Sequence, residues 1–178
     1  MYIRTFPIIK TEAAAREIFA NDPSYILGVG GCQIRYHLTL KMNELGGQLT
    51  SAIADTANIG KFNVELGSGI NVMHGVLISN DVKIGEGTLL NANSLIHHDV
   101  SVGHFCEISP GSILTGRVQV GNYTTIGSGA VILPKVNIGS NVIIGAGAVV
   151  TKDVKDQSIA IGVPARIKQA NSYQELRS

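Results

Sequence analysis

The chain has 178 residues, with 14 Lys and Arg against 13 Asp and Glu, two Cys and no Trp. A net charge of +1 leaves no electrostatic footprint for nucleic acid or an anionic membrane surface. No apolar run reaches the ~18 residues of a membrane-spanning helix, and the start MYIRTFPIIK lacks the shape of a signal peptide. A cytoplasmic protein with no nucleic-acid or membrane partner is therefore expected, with Cys32 and Cys106 as reduced thiols that lack metal-like spacing.

In chain order, Thr11 reads as the N-cap of an Ala-rich helix over residues 11–20, stopped at Asn21. Residues 25–29 read as a buried strand. Gly30-Gly31 follow, then a helix over 33–45 with Ile34, Leu38 and Met42 on one face, stopped by Gly46-Gly47. Residues 49–53 read as another strand. This order is about half of a nucleotide-binding α/β unit, and it defines a first segment, residues 1–57.

At Ile59-Gly60 the chain enters a six-residue repeat, with one extra residue before Leu66. Cut every six residues from Gly67, it reads GSGINV, MHGVLI, SNDVKI, GEGTLL and onward to GAGAVV. The sixth position is aliphatic at fifteen successive steps from Leu66 to Val150, and the fourth is small or β-branched from Ile70 to Ala148. Such a period fits neither an amphipathic helix nor a long alternating strand. It predicts very short strands joined by corners. Three hexads close a triangular coil of 18 residues, aliphatic side chains fill its axis, and coils stack about 4.8 Å apart. The fold class is mainly β, a left-handed parallel β-helix over residues 58–156, with residues 67–156 making five coils. Gly67, Gly85, Gly103, Gly121, Gly127, Gly139 and Gly145 are expected to supply positive φ at the corners. Residues 157–178 form a cap and tail: SIAIGVPAR closes the prism, and the polar remainder to Ser178 reads as helical or loose.

In a repeat shaped by packing, exceptions carry information. His97-His98-Asp99 replaces a glycine corner while the apolar pattern continues through Val100 and Val102, so the imidazoles stand outside the core. An imidazole suits proton acceptance near neutral pH, and Asp99 is placed to fix its tautomer. The 18-residue register sets Gly116 on one side of His98 and Asn80 on the other. Gly116 leaves room beside the base and offers a backbone N–H to a developing oxyanion. His74 and His104 fall on other sides of the prism, and His37 lies in the second helix; all three read as surface residues.

Four stretches, YILGVGGCQIR, NANSLIHHDVSVGHFCEISPG, GSGAVILPKVNIGSNVIIGAGAVVTKDV and AIGVPARIK, resemble the bacterial sialic acid O-acetyltransferase and nucleotide-amino-sugar N-acetyltransferase family of hexapeptide enzymes. The resemblance implies an acyltransferase that uses acetyl-CoA as cosubstrate without a metal. It also implies a homotrimer and a sugar or sugar-nucleotide acceptor. Matched position by position, His98 is the base and Asp99 its acidic partner. Glu107 falls where the family can carry a histidine touching the acetyl group; Gly116, Ser128 and Ala146 fall on acetyl-CoA contact positions and Gly30 on a sugar-nucleotide position. Lys152, Arg166 and Lys168 gather after the last coils, either as ligands of CoA phosphates or as solvated charge. Family members open with a strand and a GxxGHG loop, which residues 1–21 do not supply, so a shortened N-terminal domain is expected. Two alternatives accompany this reading. One is a non-catalytic scaffold or binding module. The other is a zinc enzyme resembling the gamma-class carbonic anhydrases, which needs three converging histidines.

Overall fold

Each hexad folds as a two-residue strand followed by a four-residue corner, as in Leu95–Ile96, the corner 97–100 and Ser101–Val102. A strand this short satisfies its backbone only by pairing with the coils before and after it. The computed structural model, which describes residues 7–168, shows that pairing as parallel ladders: Leu95 with Ile113, Ser101 with Gln119 and Glu107 with Thr125. Three sheets result, forming the faces of a left-handed parallel β-helix. The first face runs from Ala52–Ile53 to Ile143–Ile144, the second from Asn58–Ile59 to Val149–Val150, and the third from Glu65–Leu66 to Asn137–Ile138.

The sixth-position side chains fill the axis. Ile78, Ile96, Leu114 and Ile132 are at most 1% exposed. Burying each contributes about 1.5–3 kcal/mol. Cys106 belongs to this core, and both cysteines are free.

Glycine serves the corners differently from expectation. The left-handed backbone lies at the third hexad position and is adopted by whatever residue stands there, including Asp81 (φ 59°), Asn93 (58°), Asp99 (59°), Phe105 (48°) and Arg117 (65°). The first-position glycines do not have positive φ. They are required because the next coil passes too close for a side chain: a Cβ on Gly85 would lie 2.5 Å from the carbonyl carbon of Gly103.

The prism also begins earlier than expected. Ala52–Ile53 pairs with Asn71–Val72, so it is the first strand of the first face and does not belong to the α/β segment. The expected boundary at residue 58 thus falls inside the first coil, and the prism has six coils instead of five, as the six-stranded second face records. The extra residue before Leu66 disguised this: strands before it pair 19 residues ahead, strands after it 18.

The N-terminal segment contains α1 (Glu12–Asn21), whose first turn is capped by Thr11 Oγ1 accepting from Ala14 N–H at 3.3 Å, and α2 (Cys32–Glu44). Between them, β1 (Ser24–Tyr25) pairs in parallel with β2 (Gln48–Leu49). The buried strand expected over 25–29 is therefore only two residues long, and Ile26 and Val29 are exposed. The face of α2 against the prism is also not the expected one: Cys32, Arg35 and Thr39 are buried, whereas Ile34 is exposed. Polar groups on the first face and its edge decide this, since Arg35 and Cys32 find partners there at Asn71, Gly87 and Thr125. Tyr36 of α2 also packs edge-on against Phe105 and Tyr123, with ring centroids 5.3 and 5.5 Å away.

At the other end, Ile159–Ile161 adds to the first face and Arg166–Lys168 returns antiparallel to it. The expectation for the polar tail beyond residue 168 lies outside the described residues. Among the described residues no helix is long and apolar enough to cross a membrane.

Two glycine substitutions separate the two corner constraints. Gly85→Ala, which meets backbone, should lower unfolding free energy in urea by about 3 kcal/mol, near the upper end for overpacking. Gly111→Ala has a φ of +67° but open space around its Cβ, and should lose only about 1 kcal/mol. Equal losses would contradict the close-approach explanation.

Candidate active site

The corner between the second and third faces carries a vertical column of residues 18 apart. Its ladder is visible in the backbone: Asp99 N–H donates to Asn80 O (3.4 Å), Arg117 N–H to His98 O (3.0 Å) and Lys135 N–H to Gly116 O (3.1 Å). His98 and Asp99 stand here side by side. The left-handed φ of Asp99 (59°), which Asp tolerates better than most residues, turns its carboxylate onto the imidazole. His98 Nδ1 lies 2.8 Å from Asp99 Oδ2. With the Nδ1–H donating to this carboxylate, the neutral ring presents its Nε2 lone pair outward.

Gly116 faces that nitrogen. A Cβ at Gly116 would lie 2.6 Å from both Cε1 and Nε2 of His98, so any side chain here would displace the imidazole. Among the described residues the Gly116 N–H has no hydrogen-bond partner in the chain. The imidazole and an unbonded backbone N–H therefore stand next to each other on this edge. Asn80 is less available: its Oδ1 accepts from Phe62 N–H at 3.3 Å.

Sequence reasoning missed Arg117. Its Nε lies 3.5 Å from Asp99 Oδ2, and the signal was present, since residue 117 stands one coil from residue 99. The hydrogen bond from His98, followed by the charges of His98 and Arg117, holds the Asp99 carboxyl below its ordinary pKa.

The other expected site residues form two separate groups. Ser128 and Ala146 stack on the edge between the first and second faces, where Gly147 N–H donates to Ser128 O at 2.9 Å. Gly30 and Glu107 meet beside the first face: Gly31 N–H donates to Glu107 Oε2 at 2.7 Å, and a Cβ on Gly30 would be 3.1 Å from that oxygen. Within one chain neither group reaches His98.

The remaining candidates are dispersed. His74, His98 and His104 stand on three different edges, and among the described residues no three His, Cys, Asp or Glu side chains converge. His104 Nδ1 accepts from Glu86 N–H at 3.2 Å, and His37 is exposed on α2, with Nδ1 2.7 Å from Gln33 O. Burial pushes the Cys106 thiol up to about 12, so it stays protonated and is no nucleophile at neutral pH. Lys152 and Arg166 line a cleft of about 570 Å³ at the end of the prism, which does not include Lys168.

The bacterial transferase hexapeptide (six repeats) family matches residues 81–116 and 117–152. Perosamine N-acetyltransferase from Caulobacter crescentus, solved as a mutant with CoA and GDP-perosamine, is similar at 35% identity and a TM-score of 0.87, over 92% of this chain and 78% of that one. The acetyltransferase domain of PglB from Neisseria gonorrhoeae, solved with acetyl coenzyme A, is 28% identical with a TM-score of 0.85, over 94% and 81%. AntD, an N-acyltransferase from Bacillus cereus, shares the fold at 22% identity and a TM-score of 0.63, over 80% of this chain and 92% of that one. No curated protein matches the sequence.

The His98–Asp99 contact has a measurable signature. Because the folded pKa of Asp99 is lowered, its contribution to stability is present above the unfolded value and is lost as pH falls through the folded one. Carboxyl NMR should place the Asp99 midpoint below 3.8, and His98→Ala should move it upward. An Asp99 midpoint unmoved by His98→Ala would contradict the pairing.

Proposed function

This chain belongs to the bacterial hexapeptide-repeat sugar acetyltransferases, and from that premise we propose that it moves an acetyl group from acetyl-CoA to a sugar or nucleotide-linked amino sugar, with His98 as general base. The observation that carries this reading is the corner itself: an imidazole oriented by Asp99 at 2.8 Å, facing a glycine whose N–H is free.

The chemistry follows from those groups. The acceptor nitrogen or hydroxyl attacks the thioester carbonyl while His98 Nε2 takes its proton. The new C–N or C–O bond forms as the carbonyl π electrons move onto oxygen, where the Gly116 N–H donates to the developing charge. Collapse breaks the C–S bond, and the imidazolium returns its proton to the departing CoA sulfur. Asp99 supports the cationic imidazole throughout and keeps its proton on Nδ1.

The acetyl-CoA contact positions call for more than one copy of the chain. Gly116 shares an edge with His98, whereas Ser128 and Ala146 lie on another edge across a flat face. A flat face offers no cleft; one arises where the edges of two prisms meet. In this reading the protein is a homotrimer with acetyl-CoA lying between subunits, and the Lys152–Arg166 cleft receives the phosphates. Glu107 and Gly30 lie toward the acceptor, a grouping different from the acetyl contact expected for Glu107.

The test is acetyl-CoA consumption against UDP-, dTDP-, GDP- and CMP-linked sugars alongside free amino sugars. His98→Ala should lower turnover by about 100-fold or more, the low end for general-base catalysis, while leaving acetyl-CoA binding intact by thermal shift. Near-normal turnover in His98→Ala would remove the base assignment. Absence of stabilisation by saturating acetyl-CoA, which should reach about 2.7 kcal/mol at 100 times Kd, would favour a scaffold instead.

A further inference from the structure

Residues 27–31, the loop between β1 and α2, contain three glycines. Among the described residues, Leu27, Gly28, Val29 and Gly30 make no backbone–backbone hydrogen bond. Two charged side chains hold this loop instead. Arg35, 0% exposed, donates from Nη1 to Val29 O (2.9 Å) and Leu27 O (3.4 Å), from Nε to Gly87 O (3.1 Å) and from Nη2 to Asn71 Oδ1 (2.7 Å). From the other side, Glu107 accepts the Gly31 N–H. The loop's carbonyls are thus drawn inward and its last N–H is drawn toward the prism.

Beside the clamped loop opens a groove of about 480 Å³, lined by Ile26, Gly28, Gly30, Met73, Asn91 and Glu107. Asn91 Nδ2 donates to Glu107 Oε1 at 3.4 Å, so one carboxylate oxygen is committed to the loop and the other to this wall. A buried guanidinium with no carboxylate in direct contact is a costly way to anchor a helix, and an apolar side chain would serve better. What an apolar side chain could not do is hold two loop carbonyls at once. The Glu107 carboxylate nearby opposes the effect of burial on the guanidinium and partly compensates its charge.

We propose that Arg35 is a positioning residue for acceptor binding: with Glu107 it fixes residues 27–31 as one wall of the groove that receives the acceptor. This rests on the acetyltransferase reading. Arg35 itself touches no substrate; it acts through the loop.

Kinetics with each substrate varied in turn, in wild type, Arg35→Met and Arg35→Lys, test this. Arg35→Met should raise the acceptor KM about tenfold or more while the acetyl-CoA KM stays within about twofold. Arg35→Lys keeps the cation but not the fork, and should fall between. A general loss of fold would move both KM values or kcat alone, and that outcome, or an unmoved acceptor KM, overturns the proposal. Should Arg35→Met not fold, Arg35→Lys carries the same comparison. If the wild type acetylates no acceptor, the functional reading fails separately, and amide exchange then decides the clamp. Gly31 N–H should exchange at least about tenfold faster in the Arg35 variant, and an unchanged rate would overturn it.

Discussion

Backbone hydrogen bonding between coils is the constraint from which the other features follow. A two-residue strand has no local way to satisfy its N–H and C=O groups, so each coil must sit directly on the next. Where that contact brings backbones closest, as at Gly85 and Gly103, it leaves no room for a side chain at the first corner position. From Glu65 onward it also fixes the neighbour of each strand residue in the next coil at 18 positions ahead, up to the last full coil. His98 beside Gly116, Asp99 beside Arg117 and Ser128 beside Ala146 are consequences of one ladder.

The ladder also explains how the polar His98–Asp99 corner is tolerated. The prism's stability comes from its axis, where the Ile, Leu and Val side chains are excluded from water. The outward side chains of a corner, such as His98 and Asp99, add little to that core, which the buried Val100 of the same corner joins. An exposed His–Asp pair stabilises the fold weakly, so the second–third edge is free to carry chemistry without weakening the axis. The N-terminal segment contrasts with this. Its loop has no ladder of its own and depends on Arg35, Glu107 and the aromatic contact of Tyr36 with Phe105 and Tyr123.

The sequence made the periodic parts legible and the tertiary parts obscure. Fifteen aliphatic residues in register declared the axis, and the same register placed Gly116 against His98, where the structure puts it at contact distance. The role of the corner glycines was misjudged because composition shows where glycine stands but not whether φ or a neighbouring coil demands it. The first coil was hidden by one extra residue between Ile59 and Leu66, which breaks the six-residue spacing without breaking the pairing. The buried face of α2 was hidden because Arg35 and Thr39 are polar: Thr39 Oγ1 donates back to Arg35 O within the helix, and the partners of Arg35 at Gly87 and Asn71 come from coils distant in sequence. The meeting of Gly31 with Glu107, 76 residues apart, had no local signal at all.

The central claim is that catalysis joins the His98 edge of one copy to the Ser128–Ala146 edge of another. Subunit mixing tests it directly. Chains carrying His98→Ala and chains carrying Ala146→Trp, each inactive alone, are co-expressed and purified as mixed assemblies. Random assembly should give intact interfaces at about a quarter of sites, and activity near that fraction of wild type. Activity no greater than the sum of the two inactive parents would contradict a site shared between subunits.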